Sequence, residues 1–329
     1  MLNNKSILIT GATGSFGQQF IKVVLKKYKK IKRLIIFSRD EFKQYILQKE
    51  YNQKKYSFLR FFLGDVRNKD RLTTALNGVD IVIHAAALKQ VPAAEYNPFE
   101  YINTNVIGAE NLIRACFENK VQKVIALSTD KAAAPINLYG ATKLCSDKLF
   151  IAANNIRGNN NISFSVVRYG NVMMSRGSIV PLFQEISKTS NVLPITDLRM
   201  TRFNININSA CEFVLKCLKI SKGDEIFVPK IPSLRITDLA KAINRKCKFK
   251  MIGMRPGEKL HEEMITINDS LNTLETKDYF IILPPDKIKN YLKKNKNCRL
   301  VKENFSYNSF NNNHYLKISG IEKIIKRSQ

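Results

Sequence analysis

Residues 7–17 read ILITGATGSFG, and this stretch decides the fold. The run from Ile7 to Thr10 is short, apolar and β-branched, which predicts a strand, and helical periodicity follows Gly17. Gly11 would permit a tight turn, Gly14 would let the backbone approach a pyrophosphate, and Gly17 would let helix and strand pack closely. A glycine-rich turn alone is common for structural reasons, but the strand and the helix supply the context that the motif requires. The stretch therefore predicts a dinucleotide-binding unit.

The second predicted strand, Arg33–Phe37, ends at a charged stretch that would reach the adenosine ribose of such a cofactor. Arg39 could hold a 2′-phosphate in a bidentate contact, with Ser38 and Lys43 beside it. This set favours NADP. Asp40 leaves NAD open as the alternative, because an acidic side chain at this place can bind the ribose hydroxyl groups.

Strand-like and helix-like segments alternate as far as residue 168, which is typical of an α/β fold with a doubly wound parallel sheet. We expect a Rossmann domain that binds NADP over residues 1–168, with the chain returning to it at about 203–225. Residues 169–329 contain loops rich in proline and glycine and are predicted to form a smaller, interleaved substrate-binding domain. The tail from about residue 287 is rich in lysine and asparagine, and we expect it to be partly mobile.

Two further strand ends would face the cofactor. Asp65 follows the third predicted strand and could accept a hydrogen bond from the adenine amino group. Ala85 belongs to a run of small residues that would let the chain pass near the cofactor. His84 ends a buried strand with no acid or nucleophile placed to partner it, so we expect a hydrogen-bonded structural histidine rather than a catalyst.

Composition limits the partners of the chain. Its 329 residues carry 54 Lys and Arg against 27 Asp and Glu, a formal charge of +27. These charges are scattered and accompany no nucleic-acid-binding motif, so we expect a solvated basic surface. No apolar stretch approaches the roughly 20 residues of a membrane span, and the six cysteines and three histidines show no metal-ligand spacing. We expect a cytoplasmic protein that binds no metal, no nucleic acid and no membrane.

A first pair of reactive side chains is formed by Tyr139 and Lys143, which share one face of a predicted helix at the i, i+4 spacing. The lysine charge and a cationic nicotinamide would lower the pKa of the phenol, so that Tyr139 could take a hydroxyl proton as a hydride leaves the same carbon. The spacing is common by chance and gains weight only from the glycine motif before it.

A second pair, Asp130 and Lys131, follows a predicted strand directly. A sugar oxidised to a ketone at C4 has an acidified proton on C5, which a neutral amine can remove while an acid protonates the departing C6 hydroxyl. We interpret Lys131 as that base and Asp130 as that acid, with the hydride returned to C6. The pKa of Lys131 would then have to fall well below its ordinary value, and Asp130 would have to be held protonated. A plain surface ion pair is the alternative interpretation.

From Ile7 to about Pro284 the chain resembles the inverting UDP-N-acetylglucosamine 4,6-dehydratases, which belong to the extended short-chain dehydrogenase/reductase superfamily and open the pathway to pseudaminic acid. The resemblance rests on motifs spread along the sequence: Thr10–Gly17, Ser38–Gln44, Gly64–Arg67, Ala86–Pro92, Ser128–Lys131, Tyr139–Lys143, Arg168–Val172, Ser175–Ser178, Pro194–Asp197, Met200–Phe203, Phe227–Pro232 and Arg255–Glu262.

The resemblance implies roles for these positions. Asp130, Lys131 and Tyr139 would be catalytic, and Lys143 would bind the nicotinamide ribose. The residues implied to hold NADP are Gly11, Thr13, Gly14, Ser15, Phe16, Gly17, Ser38, Arg39, Asp40, Glu41, Phe42, Lys43, Asp65, Val66, Ala85, Tyr139, Lys143 and Val172. The residues implied to contact UDP-N-acetylglucosamine are Lys89, Tyr139, Asn171, Thr196, Arg255 and Glu258.

The activity implied by the resemblance is a hydro-lyase reaction that gives UDP-2-acetamido-2,6-dideoxy-beta-L-arabino-hex-4-ulose, in which C5 is inverted. This would be the first step of pseudaminic acid synthesis for surface or flagellin glycans. The family also implies a homo-oligomer, a hexamer or another assembly built from dimers. Inversion requires that the returning C5 proton arrive on the face opposite the one that lost it.

Some positions depart from the family pattern. Ala133 and Ala134 stand where cysteine and asparagine are common, and Met173 and Met174 stand where smaller residues line the sugar. Larger side chains there could reshape the pocket. Two other classes of function therefore stay open: a related dehydratase or epimerase that retains C5 or also epimerises C3, and a non-enzymatic Rossmann protein that binds nucleotide or RNA.

Overall fold

The computed structural model describes residues 1–52, 54–175 and 177–328. The chain divides into two compact units. Unit 1 contains residues 1–128, 142–167 and 211–227, and unit 2 contains residues 129–141, 168–210 and the chain from residue 228 onward. These bounds differ from the sequence-based ones chiefly at residues 129–141, the loop and helix start after a central strand, which belong to unit 2. The binding roles expected for the two parts stay predictions.

The strands of the described residues are β1 (Ser6–Thr10), β2 (Arg33–Ser38), β3 (Leu59–Leu63), β4 (Ile81–His84), β5 (Lys123–Thr129), β6 (Ser163–Tyr169), β7 (Asn171–Val172), β8 (Val192–Ile195), β9 (Thr201–Ile205), β10 (Ile226–Pro229), β11 (Ser233–Arg235), β12 (Lys248–Met251), β13 (Glu263–Ile265), β14 (Thr273–Glu275), β15 (Tyr279–Ile282), β16 (Arg299–Leu300) and β17 (Tyr307–Asn308).

The α-helices are α1 (Ser15–Lys27), α2 (Glu41–Glu50), α3 (Lys69–Ala75), α4 (Val91–Tyr96), α5 (Pro98–Tyr101), α6 (Gly108–Glu118), α7 (Leu138–Ala152), α8 (Ile179–Ile186), α9 (Ile207–Ile220), α10 (Ile236–Ile243), α11 (Pro285–Lys294) and α12 (Ile318–Ser328). A π-helix spans Ile102–Ile107, and 3₁₀ turns span Asp130–Ala132 and Ile267–Asn272. Across the described residues, the helices include no segment with the length and apolar character of a membrane span.

Unit 1 is built on a parallel sheet whose strands follow the order β10, β6, β5, β4, β1, β2, β3. The register pairs Ile7 of β1 with Leu34 of β2 on one side and with Ile81 of β4 on the other. All five residues of β1 are buried, as expected for a strand covered by helices on both faces. The strand order changes at β1: the chain adds β2 and β3 on one side of β1 and then β4 on the other side. Such folds bind nucleotides at this switch point, at the carboxyl ends of the strands. The predicted α/β fold with a doubly wound parallel sheet is confirmed.

Unit 2 contains smaller sheets. Strand β9 lies between β11 and β7, β8 pairs with β12, β13 pairs with β17, and β14 pairs with both β15 and β16. Helices α8, α10 and α12 surround an apolar core to which Phe183, Leu239 and Ile321 contribute. Their apolar residues recur at helical spacing, which is why one face of each helix is buried.

The tail from residue 287 carries folded elements in the structure, among them β16, β17 and α12. Tyr307 is 7% exposed, and its hydroxyl accepts a hydrogen bond from the backbone nitrogen of Ile231 at 2.8 Å and donates to the Ile231 oxygen at 2.9 Å. Lysine and asparagine therefore occupy the exposed positions of a segment that aromatic and aliphatic residues anchor. Its partial mobility stays a prediction.

Candidate active site

The glycine turn lies between β1 and α1 in unit 1. Gly11 has a φ of +64°, and a Cβ atom there would lie 2.8 Å from the Cα of Ala86. A Cβ atom on Gly17 would lie 2.5 Å from the Cα of Ala12. Both clashes are with backbone, so side chains at these positions would displace the turn or the helix. Gly14 is the N-cap of α1 and brings no side chain to the helix amino terminus, where phosphate groups bind in dinucleotide-binding folds.

The other residues predicted to surround this turn are placed as follows. Ser15 and Phe16 begin α1, and the ring of Phe16 stacks on Phe20 with centroids 5.6 Å apart. Thr13 is buried in the turn. The backbone nitrogen of Ala85 donates to the hydroxyl of Thr10 at 3.1 Å, which holds the end of β4 beside the end of β1. Val66 is buried after β3.

The predicted ribose-binding stretch lies where β2 leads into α2. The carboxylate of Asp40 caps α2 by accepting from the backbone nitrogen of Lys43 at 2.9 Å, and it also pairs with the Lys43 amine. Arg39 projects with 56% of its side chain exposed, 3.8 Å from the carboxylate of Asp65. Capping of α2 is by itself a structural reason for an acid at this position. Glu41 and Phe42 begin α2, and both are exposed.

Asp65 is held by its neighbour Arg67, which donates two side-chain bonds to it at 2.7 and 3.0 Å. Burial would raise the pKa of the Asp65 carboxyl, but the hydrogen bonds and charge of Arg67 outweigh it and hold that pKa below its ordinary value. The carboxylate is therefore ionised, as an acceptor for an adenine amino group must be, although part of its hydrogen-bonding capacity is already used.

The loop after β4 is fastened by a residue that sequence reasoning missed. The amide of Asn105, in the π-helix, accepts from the nitrogen of Leu88 at 2.9 Å and donates to its oxygen at 3.0 Å. The same amide donates to the hydroxyl of Thr142 at 3.0 Å. Lys89 follows in this loop, and burial lowers the pKa of its amine. π-Helical turns often occur at functional sites, and a π-helix leaves no signal in a single sequence.

His84 is a structural residue, as predicted. Its ring nitrogen Nδ1 lies 2.8 Å from the hydroxyl of Thr10, and its ring packs against Phe150. Burial, with the charge of Lys143 adding to it, lowers the pKa of His84 to about 3, so the ring is neutral.

Helix α7 carries both members of the predicted Tyr-Lys pair. Tyr139 is 9% exposed and lies in the first turn, within unit 2, whereas Lys143 is 3% exposed and lies in the part that belongs to unit 1. Burial lowers the pKa of the Lys143 amine, opposed by the charge of Asp147 one helical turn further on. Asp147 accepts from the hydroxyl of Ser128 at 2.7 Å, so this face of the helix is fixed by hydrogen bonds.

Asp130 and Lys131 form a buried cluster in unit 2, immediately after β5. The Lys131 amine donates to Asp130 Oδ1 at 3.0 Å and to the amide oxygen of Asn171 at 3.2 Å. It also lies 2.9 Å from Oε1 of Glu262. The side chains of Asp130 and Glu262 are almost wholly buried, and that of Lys131 is 20% exposed. The interpretation of this pair as an ordinary surface ion pair is therefore wrong.

The electrostatics of the cluster correct one expectation. Burial alone would lower the pKa of Lys131, but the carboxylates of Asp130 and Glu262 outweigh it and raise that pKa above its ordinary value. The prediction that the pKa of Lys131 is depressed is wrong for this state of the protein. Burial raises the pKa of Asp130, although Lys131 opposes it, which favours the protonated acid that was expected.

Glu262 and Arg202 are the second omission of the sequence reasoning. Both occur in the quoted motifs, but neither was given a role. Arg202 Nε lies 3.8 Å from Glu262 Oε1, and its Nη2 lies 3.5 Å from Glu258 Oε1. Burial would raise the pKa of Glu262, but Lys131 and Arg202 outweigh it and lower that pKa, so the carboxylate is ionised. The available signal was a charged residue near apolar residues, as at Arg202 beside Phe203 and Glu262 before Met264.

The predicted substrate residues of unit 2 are only partly brought together. Asn171 contacts Lys131, and Glu258 contacts Arg202, so both adjoin the cluster. Glu258 also accepts from the backbone nitrogen of Arg255 at 3.2 Å, while Arg255 itself is exposed. Thr196 follows β8 and donates to the sulfur of Met200 at 3.3 Å. Val172, predicted to contact the cofactor, follows Asn171 in β7.

The four positions that depart from the family pattern lie in unit 2. Met173 is buried in the core of unit 2, and Met174 packs against that core, although it takes a φ of +62°. Ala134 also has a positive φ, +43°, a conformation that asparagine adopts more readily than alanine. Met173 thus belongs to the core of unit 2, Met174 is half-buried beside it, and a contact of either residue with the sugar stays a prediction. Arg176, part of a quoted motif, lies outside the described residues.

The strand, glycine turn and helix, the strand order and the Tyr-Lys pair of α7 define a protein of the short-chain dehydrogenase/reductase class. The sequence profile of the polysaccharide biosynthesis protein family matches residues 7–284, and the chain belongs to that family. It is 52% identical to the UDP-N-acetylglucosamine 4,6-dehydratase (inverting) of Campylobacter jejuni, over 100% of this chain and 99% of that protein. The predicted resemblance is therefore confirmed. The chain is also 44% identical to a UDP-glucose 4-epimerase of Rickettsia bellii, over 89% of this chain and 87% of that protein.

Solved structures agree on the fold. The structure of Pen from Bacillus thuringiensis matches with a TM-score of 0.91 and 36% identity, over 100% of this chain and 99% of that one. DesIV, a dTDP-glucose 4,6-dehydratase from Streptomyces venezuelae with NAD and TYD bound, matches with a TM-score of 0.69 over 78% of this chain and 86% of that one. At 20% identity, the second likeness concerns the fold alone.

Proposed function

We propose that this chain is a UDP-N-acetylglucosamine 4,6-dehydratase that inverts C5. The observation that carries the proposal is the buried pair of Asp130 and Lys131, in a chain that is 52% identical to a protein of that name. A 4-epimerase oxidises and re-reduces one carbon and needs no acid to expel a hydroxyl group. An elimination needs both an acid and a base, and the burial that raises the pKa of Asp130 suits the acid.

The cofactor of the proposed reaction is a nicotinamide dinucleotide, and we favour NADP. When bound, it takes a hydride from C4 of the sugar and returns it to C6. The turn suits a dinucleotide because side chains at Gly11 and Gly17 would collide with backbone and displace the turn, while Gly14 brings no side chain to the amino terminus of α1, where a pyrophosphate would bind. Arg39 favours a 2′-phosphate because it is exposed, whereas the carboxylate of Asp40 is engaged in capping α2. The remaining proposed contacts are Thr13, Ser15, Phe16, Ser38, Glu41, Phe42, Lys43, Asp65, Val66, Ala85, Lys143 and Val172.

The proposed chemistry uses four side chains. Tyr139 takes the proton of the C4 hydroxyl as that carbon becomes a ketone, and Lys143 supports it from the same helix. Lys131 then removes the proton on C5. Asp130 protonates the C6 hydroxyl, which leaves as water, and the electron pair of the C5–H bond becomes the new double bond between C5 and C6. Hydride addition at C6 and a proton at C5 complete the 4-keto-6-deoxy sugar.

The proposed substrate contacts are Lys89, Tyr139, Asn171, Thr196, Arg255 and Glu258. Lys89 and Arg255 are cationic, as groups that bind a diphosphate must be. Asn171 lies beside Lys131, where a hydroxyl or keto oxygen of the sugar would meet it. We further propose that the product feeds pseudaminic acid synthesis, that the protein is cytoplasmic, and that it assembles as a homo-oligomer, which light scattering after size exclusion would test.

The direct test supplies the purified protein with UDP-N-acetylglucosamine and NADP and follows the sugar by NMR and mass spectrometry. The proposed function predicts a product lighter by one water, with C5 inverted and no net consumption of cofactor. A 4-epimer of unchanged mass would instead identify an epimerase like the Rickettsia relative. Retained C5 or inverted C3 would identify a related dehydratase, and no turnover, with unchanged biological activity in Lys131→Ala and Tyr139→Phe, would indicate a nucleotide- or RNA-binding protein.

A further inference from the structure

Glu262 has an unusual position for a carboxylate. It directly precedes β13 and is 2% exposed. Its backbone is fixed from both sides by Ser309, whose hydroxyl accepts from the Glu262 nitrogen at 2.9 Å and whose nitrogen donates to the Glu262 oxygen at 2.7 Å. Its Oε1 faces Lys131 at 2.9 Å, and its Oε2 is buried with no hydrogen-bond partner in the described part of the chain. A buried carboxylate oxygen without a partner is costly and calls for a reason.

The proposed reaction suggests a role for Glu262 through its contact with Lys131. Lys131 is an ammonium ion in this structure, because the Glu262 carboxylate and the carboxyl group of Asp130 both face its amine, and an ammonium ion cannot remove a proton from C5. Lys131 has three contacts among the residues that the structure describes. The amide oxygen of Asn171 is not basic, and Asp130 is needed as an acid, with its Oδ2 also buried and unpaired in that part of the chain. Within the same described residues, Glu262 is the remaining acceptor in direct contact with the amine.

We propose that Glu262 is a positioning residue that takes a proton from the Lys131 ammonium and so supplies the neutral amine that abstracts the C5 proton. This inference rests on the proposed function and adds to it a residue that acts through Lys131. In the first transfer an N–H bond of Lys131 breaks, its electron pair stays on nitrogen, and an O–H bond forms on Glu262.

The proton balance closes over one turnover. After elimination Lys131 holds the C5 proton, Asp130 has lost its proton to the departing water, and Glu262 still holds the proton from the first step. Lys131 then passes a proton to Asp130 and receives the one stored on Glu262. All three groups return to their starting states. This exchange of protons among Lys131, Asp130 and Glu262, here called the relay, therefore requires no external acid. The proton that adds to C5 is the one proton that comes from another group.

Burial lowers the cost of the transfer, because it penalises both members of the ion pair, whereas the attraction that raises the pKa of Lys131 and lowers that of Glu262 opposes it. The charges that face the pair set the balance. Arg202 and Lys259 stabilise the Glu262 carboxylate, whereas Asp130 stabilises the Lys131 ammonium. If Glu262 acted only through its charge, its removal would lower the pKa of Lys131 and speed C5 deprotonation at neutral pH. If Glu262 accepts the proton of Lys131, its removal would slow C5 deprotonation instead.

The test is the pH dependence of deuterium exchange at C5 in Glu262→Gln, measured with UDP-N-acetylglucosamine in the NADP-loaded protein. We expect exchange at neutral pH to slow about a hundredfold, the lower end of what a positioned proton acceptor contributes. We also expect the rate to rise about tenfold per pH unit, because the amine must then lose its proton to solvent. The wild-type rate should be flat over the same range, since its proton moves within the pair.

Two variants complete the experiment. Glu263→Gln removes the same charge from the next residue, which interacts with Lys259, and should keep the wild-type profile. Glu262→Asp keeps the carboxylate and should retain a flat profile with a reduced rate, which also serves if the glutamine variant does not fold. Formation of reduced nicotinamide on adding the sugar should survive in each, because C4 oxidation does not use Glu262.

The outcomes are separable. If the wild-type protein shows no exchange at C5, the proposed function fails. If the wild-type protein exchanges and Glu262→Gln exchanges as fast or faster at neutral pH, the proposed function stands and the relay is overturned. A sloping pH profile in Glu262→Asp would likewise overturn the relay.

Discussion

Replacing Lys131 by methionine should destabilise the protein, because the amine is the shared partner of two buried carboxyl groups. Its nitrogen lies 3.0 Å from Asp130 and 2.9 Å from Glu262, and both carboxyl side chains are at most 3% exposed. Methionine keeps the length of the apolar part of the side chain and removes the charge. Taking one partner out of a buried pair leaves an uncompensated charge and destabilises by about 3–5 kcal/mol.

The lower end of that range applies here. Arg202 still faces Glu262 at 3.8 Å, and burial already favours the neutral form of Asp130. We therefore expect a loss of about 3 kcal/mol at neutral pH, which at about 2 °C per kcal/mol corresponds to a fall in Tm of about 6 °C. Lys131→Arg, which keeps a cation in place, should lose much less.

The loss should depend on pH. In the wild-type protein the pKa of Glu262 is depressed, so its pairing stabilises the fold above the unfolded-state pKa, about 4.3, and is lost as pH falls through the lower folded-state value. Without the Lys131 cation, burial raises the pKa of Glu262 instead, and the variant gains stability as pH falls and the carboxyl is protonated. The difference between the two proteins should shrink toward acid pH. Equal melting curves at neutral pH, or a difference that grows in acid, would refute this reasoning.

Three further predictions concern single residues. Arg39→Ala should weaken NADP binding by at least about tenfold, the worth of one charge-assisted hydrogen bond, and leave NAD binding unchanged in a fluorescence titration; equal losses for both would remove the assigned 2′-phosphate contact. Asp130→Asn should slow product formation by at least about a hundredfold because the C6 hydroxyl loses its proton donor. Reduced nicotinamide should still accumulate in the absorption spectrum, and loss of both the product and the reduced nicotinamide would contradict an acid role limited to elimination. Ala134→Asn should raise the free energy of unfolding by about 1 kcal/mol, since asparagine tolerates the left-handed conformation that alanine holds there, and urea denaturation showing a decrease would disprove the strain.

The fold was predictable because its decisive signals are local. The apolar run before Gly11 and the helical periodicity after Gly17 lie within a few residues of each other, and Gly17 is required by its contact with the backbone of Ala12. The role of His84 was also predictable, since burial keeps a histidine at the end of a buried strand neutral and its ring then needs a hydrogen-bond partner, which Thr10 on the adjacent strand supplies.

The electrostatics of the site were not predictable, because they depend on residues distant in sequence. Asp130 and Lys131 are neighbours along the chain, so their contact could be expected. Glu262 reaches Lys131 only through the packing of β13 beside the turn after β5, and its carboxylate reverses the expected direction of the Lys131 pKa shift. Asp40 presents the same difficulty on a smaller scale. Its sequence position suits a ribose contact, and only the structure reveals that its carboxylate caps α2.

A single incubation of the wild-type protein with UDP-N-acetylglucosamine and NADP in D₂O, followed by NMR of the sugar, tests the proposed elimination directly. Elimination followed by hydride return gives a 4-keto-6-deoxy product that carries deuterium at an inverted C5, with the cofactor returned to its oxidised form. A dehydrated product that retains its original hydrogen at C5, or a 4-epimer with no loss of water, would contradict the proposed elimination.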